Sequence, residues 1–243
     1  MALPLLNFPF GLLGSLAVLL MPEITQAHIE GQTARLNALL DRMLRLTGYF
    51  SALAGTLFWV WGRPLAQLLY HSPEAGFYLE ILAPAMPLMY LESMVDGAMK
   101  GIGEQKAAFR YSVWDAVLRI GGVAVLLPRY GMRGFLAVIL LSSFYTCTAN
   151  TGRLLLSSGT GHAFRSWLGA PLLAAAAAGA AGRGVRRALA GFPAQELAGQ
   201  LAGLTAGGTV TAIVFLLAAL PLGLWEEVRA LLRQAKTGEN RGK

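Results

Sequence analysis

The sequence predicts an all-α, polytopic membrane protein of about seven transmembrane helices. Three observations carry that prediction. Apolar runs of about 20 residues recur along the chain, the length that crosses a bilayer core. Only 14% of the residues are charged and 55% are hydrophobic, whereas soluble domains carry roughly 25% charge. Mean hydropathy is +0.53. The net charge of +7 is explained by Lys and Arg held on cytoplasmic loops and requires no nucleic acid. A single cysteine, Cys147, excludes an internal disulfide and a cysteine-based zinc site. His28, His71 and His162 are far apart, so neither a metal nor a cofactor is expected.

The first apolar run, 3–21, lacks the basic start and the cleavage site of a secretory leader and reads as a retained span. Pro22 is expected to end it. Within 22–45, Leu36, Leu39, Leu40, Met43 and Leu44 share one face, which predicts an amphipathic helix on a membrane face. The second span is 46–61, with Trp59 and Trp61 at an interface. Arg63 and Pro64 start a turn.

The third span, 73–100, organises the rest. Ser72 suits an N-cap, Pro73 the first helical position and Glu74 the positive end of the dipole. Pro84 and Pro87 remove backbone donors and bend the helix. Glu92, Asp96 and Lys100 follow at four-residue spacing, a polar stripe on one face. Gly101 and Gly103 stop the helix.

Span four is 107–127, with Asp115 and Arg119, and 128–134 is a turn. Span five, 135–156, has an unusually polar inner half: Ser142, Ser143, Tyr145, Thr146, Thr148, Asn150 and Thr151. Span six, 167–182, contains an alanine run, and the basic stretch after it reads as a turn. Span seven, 196–224, carries Gly199, Gly203 and Gly207 at GxxxG spacing, which permits close helix approach. Residues 225–243 read as an amphipathic and disordered cytoplasmic tail. Counted by side, the loops on the face of 22–45 hold 13 Lys and Arg and the opposite loops 6. The positive-inside rule then places the N-terminus outside and the C-terminus in the cytoplasm, with Arg183, Arg186 and Arg187 against the trend.

Charges inside spans are the sharpest signal. Helical rise puts Glu92 roughly 9 Å inside the inner boundary, Asp115 roughly 12 Å and Arg119 roughly 18 Å. Each costs about 2.5–3.5 kcal/mol to insert. Asp115 and Arg119, four apart with the acid first, are either a self-satisfied structural pair or part of a cavity lining. Glu92, Asp96 and Asn150 are the other cavity candidates, although Asp96 and Lys100 also fit an interface. No metalloprotease, nucleophile-elbow or phosphate-loop spacing is present, and no Asp-rich loop could hold a metal with a nucleotide sugar, so no enzyme activity is expected.

The segment LLMPEITQAHIEGQTARLNALLDRMLRLT resembles part of the stage V sporulation protein B-like flippases. So does LYHSPEAGFYLEILAPAMPLMYLESMVDGAMKGIGEQKAAF, with its short external turn and "DG…KGIGEQ" exit. LPRYGMRGFLAVILLS is similar to the family's P-x-Y-G-x-x-G join. These flippases belong to the multidrug/oligosaccharidyl-lipid/polysaccharide (MOP) exporter superfamily. The likeness covers about 1–156, in order, and only with the family's second lobe. It implies one lobe of a MATE/MOP-type transporter: the C-terminal half of a lipid-linked oligosaccharide or polysaccharide flippase in envelope or spore peptidoglycan synthesis. It also implies a bilayer, a lipid-linked saccharide substrate, and an N-lobe chain or homodimer partner. The family's headgroup-binding basic residues lie largely in its first lobe and do not transfer to this chain. Alternatives are a MATE-type multidrug or cation efflux fragment, a non-transport scaffold for envelope synthesis, and a membrane-embedded transferase.

Overall fold

A computed structural model describes residues 2–158, 165–189 and 197–224. Every element among them is helical: α1 (Ala2–Ile29), α2 (Thr33–Tyr70), α3 (Pro73–Leu82), α4 (Met86–Gly101), α5 (Gln105–Tyr130), α6 (Met132–Ser158), α7 (Ala170–Leu189) and α8 (Leu197–Ala219). A 3₁₀ turn, Ala83–Ala85, joins α3 to α4. Single π-helical turns precede α7 (Arg165–Gly169) and follow α8 (Leu220–Leu224). Counting α3 and α4 as one interrupted rod gives seven rods.

α5, α6, α7 with its π turn and the α8 rod are each long and apolar enough to cross a membrane, and α1 makes a fifth if its bent halves form one span. α3 and α4 have 10 and 16 residues and are separately too short, because the proline-containing turn divides them. α2 is diluted by Tyr49, Thr56, Trp59 and Trp61.

α2 is the central post. It packs against α1, α3 and α4 on one side and α7 and α8 on the other. The first side forms the larger core, which includes Leu40, Met43 and Leu44 of α2, Leu79 of α3, and Met86 and Met94 of α4. The second joins Tyr49 and Ala52 to Ala174, Ala178, Phe215 and Ala219, so the alanine run is a contact face. Two glycines let irregular backbone reach the post. A Cβ at Gly48 would lie 1.9 Å from the Trp167 carbonyl oxygen, and one at Gly55 2.7 Å from that of Ala83. Both carbonyls belong to non-α turns, which approach closely only where no side chain stands. Of the spaced glycines in α8, a Cβ at Gly207 would lie 2.1 Å from the Trp61 ring, whereas one at Gly203 would meet nothing within 4 Å.

The cap at Ser72 forms as expected, with its Oγ accepting from the Ala75 N–H at 3.3 Å. The expected turn at 128–134 shrinks to Gly131, because α5 runs to Tyr130 and α6 starts at Met132, and four other boundaries differ from expectation. α1 does not stop at Pro22 but continues to Ile29, bending by 51° between Pro4–Ser15 and Leu20–Ile29. That bend covers the turn whose bond Pro22 cannot donate. The predicted interfacial helix is the start of α2, and Leu36, Leu40, Met43 and Leu44 are buried in protein. An apolar stripe identifies a buried face without saying what buries it. α7 runs through the expected basic turn to Leu189. Residues 225–243, the predicted tail, lie outside the described residues.

The fourth difference is at Pro64, where α2 continues to Tyr70. Pro64 has no N–H for the Val60 carbonyl. The Arg186 guanidinium donates to that oxygen instead, at 2.7 Å. Arg183 stacks over the Trp59 ring, 3.6 Å from its centroid. Two of the arginines that oppose the charge bias therefore have partners on α2. Replacing Arg186 by Ala should cost about 1–2 kcal/mol in the native background. In a Pro64→Ala background the new N–H serves Val60 and most of that cost should vanish. A double-mutant cycle from reversible denaturation in detergent measures it, and equal costs in both backgrounds would refute the substitution of Arg186 for the missing donor.

Candidate functional site

A cavity of about 500 Å³ lies among α1, α4, α5 and α6. The four-residue period of α4 places Glu92 and Asp96 on its wall, and α5 adds Ser112 and Arg119 seven residues apart. From α6 come Phe135, Ile139, Ser143, Thr146 and Asn150, one helical stripe that passes from apolar to polar. Asn7 of α1 closes one side. Of the five predicted candidates, Glu92, Asp96, Arg119 and Asn150 line this one cavity. Asp115 does not line it and stands behind Arg119. Lys100 turns away, paired with Asp96 at 2.6 Å and largely exposed.

Asp115 and Arg119 pair as their spacing predicts, Nη2 to Oδ2 at 3.1 Å. The pair is not self-contained. Ser142 of α6 receives Arg119 Nε at 3.0 Å and Nη2 at 2.8 Å, and its own hydroxyl donates to Asp115 Oδ1. Ser142 is fully buried. A bond within one helix thus becomes a tie between two. Nη1 of Arg119 makes no hydrogen bond to the described residues, so part of the fork remains for a ligand.

Asn150 is 1% exposed, and neither Oδ1 nor Nδ2 has a partner among the described residues. Buried amides are ordinarily satisfied, and this one stands unmet on the cavity wall.

Asn7 was not legible in the sequence. It reaches the cavity because Tyr90 fastens α1 to α4. The Tyr90 hydroxyl donates to the Leu6 carbonyl, three residues before Pro9. The rings of Phe10 and Tyr90 meet edge to face at 5.2 Å. Ser112 was also missed, because nothing in the sequence marks this one serine of α5 as facing a cavity. Ser142 and Ser143 were visible as part of a polar segment, but their partners on α4 and α5 were not.

Beyond Asn150, the α4–α5 loop is clamped to α6. Arg153 grips both oxygens of Glu104, with Nη2 at 2.8 and 3.0 Å and Nε at 3.2 Å. Ser157 donates to Glu104 Oε1 at 2.9 Å. No group of three metal-ligating side chains occurs among the described residues. The cavity offers a cation, two carboxylates and two amides, a set suited to holding a polar ligand within apolar helices.

Membrane-crossing helices around a polar cavity define a class, the polytopic membrane transporters. The MatE family model matches residues 1–125, and the chain belongs to that family, whose members are transporters rather than enzymes. It is 28% identical over 152 residues to the sporulation protein YkvU of Bacillus subtilis (strain 168), a match covering 63% of this chain and 32% of that protein. It is 23% identical over 128 residues to the stage V sporulation protein B of the same organism, covering 53% of this chain and 25% of that one. The matched part is thus a third or less of each relative's length.

Ser157 and then Arg153 hold the Glu104 carboxylate below its usual range. A carboxylate with a lowered folded pKa stabilises the fold above its unfolded pKa, and that contribution is lost as pH falls through the folded value. The native protein should therefore lose its advantage over Glu104→Gln as pH drops below about 4.5. Paired thermal melts from neutral to about pH 3 check this. A gap that stays constant on acidification would contradict the clamp.

Proposed function

We propose that the chain is one lobe of a lipid-linked saccharide flippase acting in envelope or spore peptidoglycan synthesis, and that the cavity is its half of the transit path. The observation that carries this is Arg119, a permanent cation held by Asp115 and Ser142 at the wall of a polar cavity between membrane helices. A guanidinium fork suits a pyrophosphate, the group joining sugar to lipid in such substrates. The two relatives are both sporulation proteins by name, which supports the setting. A path lined on one side needs a second lobe, whichever chain carries it. α5 is consistent with that: it packs on α6, while Phe109, Trp114, Val117 and Ile120 are exposed.

In this reading the chain crosses the plasma membrane seven times, with α3 and α4 forming one broken span. Ser72 and Gly131 lie outside, and the Asn150 end of α6 and the C-terminus lie in the cytoplasm. A second reading, MATE-type efflux of a cation, is favoured by the carboxylates of Glu92 and Asp96 on the same cavity.

The double variant Asp115→Asn/Arg119→Gln should insert and melt near the native temperature, since buried pairs are often replaceable, yet lose lipid translocation. Arg119→Lys should lose about tenfold or more, because the bidentate geometry goes. The assay is translocation of the lipid-linked precursor at matched expression, with melting as the folding control. Full transport by the double variant would overturn the proposal, and cation efflux without lipid translocation would favour the second reading.

A further inference from the structure

We infer that the Asn150 end of the cavity is a subsite that reads the hydroxyl groups of a pyranose ring. The inference rests on the proposed saccharide-lipid path and names what the path recognises beyond the phosphate.

Asn150 is the starting point, because a buried amide with both ends unmet on a cavity wall specifies the complement it needs. The side chain presents one acceptor and one donor side by side. A neighbouring hydroxyl pair fits both at once: one O–H donates to Oδ1 while the other oxygen accepts from Nδ2. A metal ion would engage Oδ1 and leave Nδ2 unmet. A carboxylate or phosphate would do the reverse. A secondary amide in its trans form points its N–H and C=O apart and cannot pair with both.

The surroundings agree. Thr146, one turn away, has spent its hydrogen on the Ser142 carbonyl at 3.0 Å and offers lone pairs to a hydroxyl. Glu92 can accept from a hydroxyl, and Ser143 can both donate and accept. Spacing links the subsite to Arg119. Arg119 bonds to Ser142, and Asn150 is eight residues on along α6, roughly 12 Å at helical rise. A sugar attached to a phosphate at Arg119 would bring its first or second ring to Asn150.

The test uses the full chain in lipid nanodiscs, free of sugar-headed detergent. Saturation-transfer NMR is recorded with methyl β-glucopyranoside and with its fully O-methylated analogue, which has the same ring and no hydroxyl donor. The glycoside should give a saturable signal, and the methylated analogue about tenfold less. Asn150→Leu should lower the glycoside signal by a similar factor while leaving Arg119-dependent binding of inorganic pyrophosphate unchanged. Equal signals from the two glycosides, or an unchanged signal in a folded Asn150→Leu chain, would overturn the inference. The glycoside comparison needs no variant, so it decides even if Asn150→Leu fails to fold. Absence of glycoside binding with pyrophosphate binding intact removes the subsite and spares the path. Loss of both removes the path as well.

Discussion

Asp115 stands away from the cavity that Arg119 lines, and Ser142 takes over part of the solvation that water would give the aspartate's carboxylate. Its hydroxyl faces both charges, accepting from the guanidinium and donating to the carboxylate. The position of Arg119 depends on this tie. α5 buries little beyond Ala107 and Ala108, and elsewhere it meets α6 through close apolar contacts such as Gly122 against Val138. With the tie, Arg119 is held at the wall that Glu92 and Asn150 share. Desolvation is tolerated here because each charge is paired and part of the arginine remains exposed.

The opposite half of the molecule obeys the same constraint by other means. α2 passes through Pro64 because Arg186 meets the carbonyl that the proline leaves without a donor. Trp61 Nε1 donates to Thr211 Oγ1 at 3.1 Å, so an indole buried between α2 and α8 is not left unmet. The Tyr49 hydroxyl reaches the Leu222 carbonyl in the π turn after α8, at 2.6 Å. Irregular backbone occurs at membrane-crossing depth only where another element serves it. The post formed by α2 does much of that service, which leaves the α4–α6 side able to keep polar groups unpaired around the cavity.

Much of the fold was legible because bilayer length and local chemistry were enough. Ser72–Pro73–Glu74 announced a helix start, and Pro84 with Pro87 announced the break that became the 3₁₀ turn. The ends at Pro22, Pro64 and Gly182 were misplaced because prolines and glycines forecast a local cost, while a distant partner such as Arg186 decides whether that cost is met. The stripe Leu36–Leu40–Met43–Leu44 could not say whether lipid or protein would cover it. In the site, period-four spacing on one helix was readable, as with Glu92 and Asp96 or Asp115 and Arg119. Pairings between helices were not, and Asn7 and Ser142 acquire their places only through tertiary contact.

The account stands on the cavity being a water-filled space within the membrane. Single cysteines at Ser93 and Ser112 on its lining, and at Leu118 and Phe144 on exposed apolar surface, placed in a Cys147→Ala background, test that claim directly. The reagent is a small charged methanethiosulfonate, which modifies thiolates only where water reaches them. Modification at Ser93 and Ser112, with Leu118 and Phe144 inert, is the predicted result. Cavity positions as unreactive as the two apolar ones would mean that lipid or packed protein fills the space, and the account would be wrong.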